Sequence, residues 1–185
     1  MNFEYTQAPV PDDCRFKISP SQISSFFDYP SIWFKEQVLG DKQFTGNTAT
    51  ELGTIVHAYA EEYANRRTPN QAEIEAYIAS LGSDIDKNEI RLHHQAMGEL
   101  LISDYLESAM PTQVEYQTYG KVSDGIYISG SVDARLDYTI IDYKTTATKP
   151  RTDKLQFKHF IQLMAYAFAD KQRGLETRKL RIVYI

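Results

Sequence analysis

One cysteine, Cys14, and one tryptophan, Trp33, occur in 185 residues. A lone cysteine excludes an intramolecular disulfide and a multi-cysteine cluster supplied by this chain alone. No run is long or apolar enough to span a membrane, and the N-terminus lacks the apolar stretch of a signal peptide. A soluble protein of the cytoplasm, with no membrane partner, is expected. Cationic excess is also missing. The net charge is −5, so the chain as a whole is no basic coat for nucleic acid, although one basic groove is enough to bind it. Internal repeats and low-complexity tracts are absent.

What is present suits one domain, or one domain with an appended helical part. Apolar residues make up 42% and aromatics 12%, with 13 tyrosines, enough for a sizeable core. Residues 1–17 read as an extended lead-in. Ser19-Pro20 opens a short helix with apolar Ile23, Phe26 and Phe27, stopped at Tyr29-Pro30. Ile32 to Leu39 is a second helical piece, and Asp41 to Thr50 a polar loop. Glu51 to Arg67 is a helix with Ile55, Val56, Tyr59, Ala60 and Tyr63 as its apolar stripe and His57 on the border. Gln71 to Leu81 and Lys87 to Met110 are further helices; His93 and His94 on the second read as surface or packing residues. Thr112 to Lys121 alternates as a strand, with Val114 and Tyr116 on one face and Glu115 and Gln117 on the other. Ser123-Asp124-Gly125 is a turn. Ala147 to Lys154 is a loop, Leu155 to Arg173 a helix, and Arg178 to Ile185 a last strand.

The chain centres on Gly130 to Thr146, a β-hairpin turning at Asp137-Tyr138. That turn places Asp133 opposite Asp142, and alternation puts both on one face with Lys144. Val132, Ala134, Leu136, Ile141 and Tyr143 then point to a core. Opposed like charges are destabilising, and a divalent cation gives two such carboxylates a reason to be there. Arg135 shares the face, so pairing with Asp133 in an ordinary charged outer face is the other reading. A bulge would break the register. Three strands, a crossover helix and a fourth strand make an α/β unit.

Four short motifs stand in order: Gly53-Thr54-Ile55-Val56-His57, Gly130-Ser131-Val132-Asp133, Asp142-Tyr143-Lys144, and Gln162 to Tyr166, whose ends share one helix face. Together they resemble the PD-(D/E)xK nuclease superfamily, in its RecB-nuclease-like branch, from about Ser19 to the C-terminus. The opening from Ile18 to Ile23, with Phe26 and Tyr29-Pro30, is similar to that branch's N-terminal helix.

The resemblance implies an α/β (α+β) restriction-endonuclease-like core: a mixed, mainly four-stranded sheet flanked by helices. Residues 1–185 would be one nuclease domain, with a helical part (1–110) carrying the motif histidine and a sheet core (111–185). It implies magnesium or manganese held by His57, Asp133, Asp142 and the carbonyl of Tyr143. Asp133, Asp142 and Lys144 would be catalytic, and Gln162 and Tyr166 would position the nucleic acid. Glu115 is a candidate for an accessory acid. The implied activity is metal-dependent hydrolysis of DNA, as an exonuclease of recombination, repair or phage DNA processing, with a protein partner from such a pathway. A binding module without turnover on the same fold is the alternative. Lys144, Lys149, Arg151, Lys154 and Lys158 read as a phosphate track, with a solvated loop and helix start as the other reading, the better one for Lys149 and Lys154 taken singly.

Many relatives carry four cysteines for an iron–sulfur cluster, one of them where this chain has Tyr29. No such cluster is expected here. Cys14→Ser should keep full activity, and the purified protein should hold no iron by metal analysis; stoichiometric iron would require ligands from another chain.

Overall fold

Helix formation begins at Ser19, whose side chain accepts the Gln22 N–H while the Gln22 amide oxygen accepts the Ser19 N–H at 2.8 Å. This reciprocal cap satisfies two donors that a helix start leaves open. It sets α1 (Pro20–Asp28), and α2 (Pro30–Gln37) follows directly. The computed structural model describes residues 1, 3, 10–41, 46–146, 148 and 156–185. Lys149, Arg151 and Lys154, and the expected helix start at Leu155, lie outside the described residues.

Asn47, Asn70 and Asp86 cap α3 (Thr48–Ala64), α4 (Gln71–Ser80) and α5 (Lys87–Leu101) through their side chains. Helix α3 therefore starts inside the expected loop. The predicted helix to Met110 ends early: after Leu101 the chain takes a π-helical turn, Ile102–Leu106. That turn lays Tyr105 against Tyr143, with ring centroids 6.1 Å apart. Of the two histidines on α5, His94 is buried beside the Tyr59 hydroxyl at 3.2 Å. No helix among the described residues is long and apolar enough to cross a membrane.

The sheet is mixed and has five strands: β1 (Phe16–Ile18), β2 (Gln113–Ser123), β3 (Ile126–Leu136), β4 (Thr139–Lys144) and β5 (Lys179–Tyr184). Strand β1, three residues long, is too short to signal itself in the sequence, and it corrects the reading of residues 1–17 as a lead-in. Cys14 accordingly lies against the folded part, its Sγ 3.6 Å from the Phe16 carbonyl. Strand β2 runs antiparallel along one edge of β3. The other edge is shared: β1 pairs in parallel with Ile126–Ile128, and β4 pairs antiparallel with Ala134–Leu136. Between them that edge opens, and β4 leaves with its parallel partner β5. Helix α1 closes in at Gly130, where an added Cβ would sit 2.8 Å from Pro20 Cδ; only glycine permits that approach.

Both faces of the sheet are covered. Helices α3, α4 and α5 bring Ile55, Val56, Ile74, Ile78 and Ile90 onto Ala134, Ile141 and Tyr143. Helix α6 (Phe157–Gln172) brings Leu163 and Tyr166 onto Val132 and Ile140. Val132 and Ala134 thus pack in opposite layers, although two residues apart, and so do Val114 and Tyr116. The expected alternation fails in both strands at the rung between them. Glu115 has φ of 44°, and no ladder pair forms between Glu115 and Asp133. Because both strands kink together, the register resumes unchanged on either side. Arg135 is turned away from Asp133, correcting the idea of a charged outer face. It is buried and donates to Asp170 at 2.7 Å, and Asp170 also accepts from Tyr116 and Thr118 at 2.6 and 2.8 Å.

A left-handed backbone costs a non-glycine residue about 1–2 kcal/mol. Glu115→Gln keeps that strain and removes the charge; Glu115→Gly removes both. Chemical denaturation should find the glycine variant about 1 kcal/mol more stable than the glutamine variant. Equal stabilities would mean that the kink carries no strain.

Candidate active site

The opened edge of β3 is where the motif residues gather. Ladder pairing between β3 and β4 stops at Ala134 and Ile141, one pair short of Asp133 and Asp142, which are therefore not a bonded pair of the ladder. Instead the Asp133 carboxylate reaches across and accepts the Tyr143 N–H at 2.7 Å. A carboxylate takes the place of a backbone carbonyl, and the strands part around it.

From α3, His57 leans into this fork. Its Nε2 lies 3.2 Å from the Tyr143 carbonyl, and its Nδ1 lies 3.6 Å from Glu115 Oε1 and 3.7 Å from Asp133 Oδ1. Ser131 donates to the other Glu115 oxygen at 2.9 Å and so fixes that side chain. Ligand atoms of His57, Glu115 and Asp133 fall within 4.8 Å of one another, the spacing of a set able to hold one ion. Asp142 is not in that set. It is buried and faces Lys144, whose Nζ lies 2.9 Å from Oδ1 and 2.8 Å from Oδ2. Only the first contact has hydrogen-bond geometry, so Oδ2 is a buried acceptor without a hydrogen bond. Such an orphan is costly unless a ligand completes it.

The charges press on one another. Burial raises the Asp142 carboxyl to about 6, helped by the neighbouring Asp133 carboxylate and opposed by Lys144. Burial likewise raises Asp133. For His57 burial works downward, but the Asp133 and Glu115 carboxylates prevail and lift it to about 9. Burial is the largest single influence on His57, and the Asp133 and Glu115 carboxylates together outweigh it. The fork binds protons where the open chain would not, and a divalent ion would replace them. The orphaned Asp142 oxygen and the oxygen-rich donor set suit such an ion.

The structure thus brings His57, Asp133 and the Tyr143 carbonyl together, with Asp142 and Lys144 as an adjacent pair. It adds Glu115, the candidate accessory acid, to His57 and Asp133 as a third possible ligand. A signal was available: a register centred on Asp124 opposes Glu115 to Asp133. The remaining motif lies along α6, where Gln162 Nε2 is 3.5 Å from the Tyr166 hydroxyl. Tyr166 is buried, and an added Cβ on Gly130 would come within 3.3 Å of its ring. One more residue escaped notice. His159, buried on α6, lies 3.0 Å from the Tyr184 hydroxyl, and Tyr184 pairs with Lys144 in the sheet. Burial and the Lys144 charge both lower its pKa.

A solved protein from Eubacterium rectale, described as a "Putative exonuclease", superimposes with a TM-score of 0.61 at 17% identity, over 91% of this chain and 68% of that one. At that identity the likeness concerns the fold. No curated protein matches the chain. The sequence profile of the PD-(D/E)XK nuclease superfamily, whose members use divalent metals, matches residues 17–185. That span reaches from the first strand through the fork to the last strand, and on it the chain belongs to the PD-(D/E)XK nuclease superfamily.

Proposed function

We propose that the protein is a divalent-metal-dependent nuclease that hydrolyses DNA, of the RecB-like branch, and that residues 1–185 work as one nuclease unit. The observation that carries the reading is the fork itself, with three acids and a histidine around an opened strand edge and a lysine on one of the acids. The E. rectale neighbour is described as an exonuclease, which favours exonuclease action here; recombination, repair or phage DNA processing is the setting we propose for it.

His57, Asp133 and the Tyr143 carbonyl, with Asp142 or Glu115, would hold magnesium or manganese; a histidine ligand makes manganese especially acceptable. The ion supplies positive charge at the scissile phosphate and lowers the pKa of the attacking water. Lys144 would orient that water and offset charge developing on the phosphate. Asp142 keeps the ammonium in place at 2.9 Å. Gln162 and Tyr166 would position the strand.

Proton binding gives a direct handle on the metal. Both shifted groups with stated values are raised, so the folded protein keeps protons that the unfolded chain releases. Asp142 contributes stability that is full below pH 3.8 and lost as pH rises through about 6. For His57 it is full below pH 6.5 and lost through about 9. The metal-free protein should therefore melt lower as pH rises across this range. Manganese at a hundred times its dissociation constant should restore about 2.7 kcal/mol near neutral pH. Asp133→Ala, which removes the carboxylate common to either shell, should abolish that rise in calorimetry; an undiminished rise would place the ion elsewhere.

Digestion of end-labelled linear and closed circular DNA, with magnesium or manganese, tests the activity. Cleavage is expected, and Lys144→Ala should lower its rate by about 10²–10³. That variant should keep metal-dependent stabilisation and most DNA affinity, since one phosphate contact changes the salt slope by only about one. A parent that cuts neither DNA nor RNA would be a binding module. A Lys144→Ala variant as fast as the parent would remove the proposed catalytic core.

A further inference from the structure

Aromatic rings crowd the surface where α1, α2 and α6 meet. Phe27 and Phe157, 130 positions apart, touch with ring centroids 6.1 Å apart, yet each keeps 59% of its surface open. Phe26, Tyr29 and Phe160 extend the exposed area. Rings of this size normally turn inward, and a contiguous exposed patch marks a binding surface.

What would cover it follows from its place and its chemistry. Both supporting helices are seated beside the fork. Helix α1 closes on Gly130, three residues before Asp133, and the first turn of α6 carries Phe157 next to His159, which lies over Tyr184 beside Lys144. That first turn has no acid and includes Lys158. A surface continuous with a phosphodiester site, made mainly of flat rings and with no acid in the first turn of α6, suits unpaired bases. Every base has a face that stacks on an aromatic ring, whatever the sequence. In a duplex those faces are taken.

We propose that Phe27 and Phe157 form a stacking platform for the unpaired bases of a single-stranded nucleic acid whose backbone enters the fork. The proposal rests on the nuclease reading and adds its substrate class: a single strand or a single-stranded end. The bases lie on the ring shelf, and the adjoining phosphate is delivered towards Lys144.

The sole tryptophan provides the readout. Trp33 packs under the shelf, its ring 5.2 Å from Phe26. Titrating unlabelled oligothymidylate into the protein, with divalent ions chelated so that nothing is cut, should quench Trp33 emission to saturation. Blunt duplex of equal length should leave it unchanged. Phe27→Ser and Phe157→Ser alter exposed positions, so circular dichroism should show folded variants. Each should bind the oligonucleotide about tenfold more weakly or worse, since stacking one base is worth at least about this much. No quenching, or equal affinity in parent and variants, would overturn the proposal. A dimer by sedimentation velocity that either variant dissociates would overturn it too, by giving the shelf to a second copy. A parent that cleaves DNA with manganese but shows no quenching would lose only this platform. A parent that neither cleaves nor binds would lose the nuclease reading as well.

Discussion

A single strained rung governs the arrangement. At Glu115 the backbone takes φ of 44°, and at Asp133 across from it the side chain bonds the Tyr143 N–H and no ladder pair forms with Glu115. Strands normally hide every second residue on one face. Here both strands change sides together, so Val114 and Ala134 serve the α3–α5 layer while Tyr116 and Val132 serve α6. Without the kink, Glu115 and Asp133 would continue an ordinary pleat. With it, two acids and a strand edge open towards His57. Strain of this kind gathers at functional sites and persists only where the surroundings over-determine it.

The surroundings do so on both sides. The buried Arg135–Asp170 pair, with Tyr116 and Thr118 also bonded to Asp170, ties β2, β3 and α6 together just past the kink. Removing one partner of such a pair costs about 3–5 kcal/mol, because the other charge is left stranded. On the opposite face Tyr105, Tyr143 and His57 meet edge to face in sequence, carrying the π-helical turn down to the fork. Into this rigid frame are set Asp133 and Asp142, which repel one another and hold protons above their ordinary pKa. Such a site is a cost to the empty protein and an asset once a cation neutralises it.

Much of this was legible in the sequence, for identifiable reasons. The two-residue turn at Asp137-Tyr138 fixed the β3–β4 register, and Ala134 does face Ile141. The apolar stripe of α3 delivered His57 to the sheet. What could not be read was non-local or non-periodic. Arg135 seemed free to meet Asp133 because its real partner, Asp170, lies 35 residues away on α6. Val132 was assigned with Ala134 because period-two reasoning has no term for a kink. Strand β1 had three residues and no pattern. Glu115, in sequence a candidate accessory acid on an alternating strand, takes its place beside His57 and Asp133 at the rung where φ turns positive.

If the kink exists to build one cation site, manganese should mark it. Anomalous diffraction from crystals soaked in manganese should show a single strong peak within ligand distance of Asp133, the Tyr143 carbonyl and His57, with Asp142 or Glu115 completing the shell. A peak elsewhere, or a bound ion that leaves Asp133 still bonded to the Tyr143 N–H and out of its shell, would contradict the account.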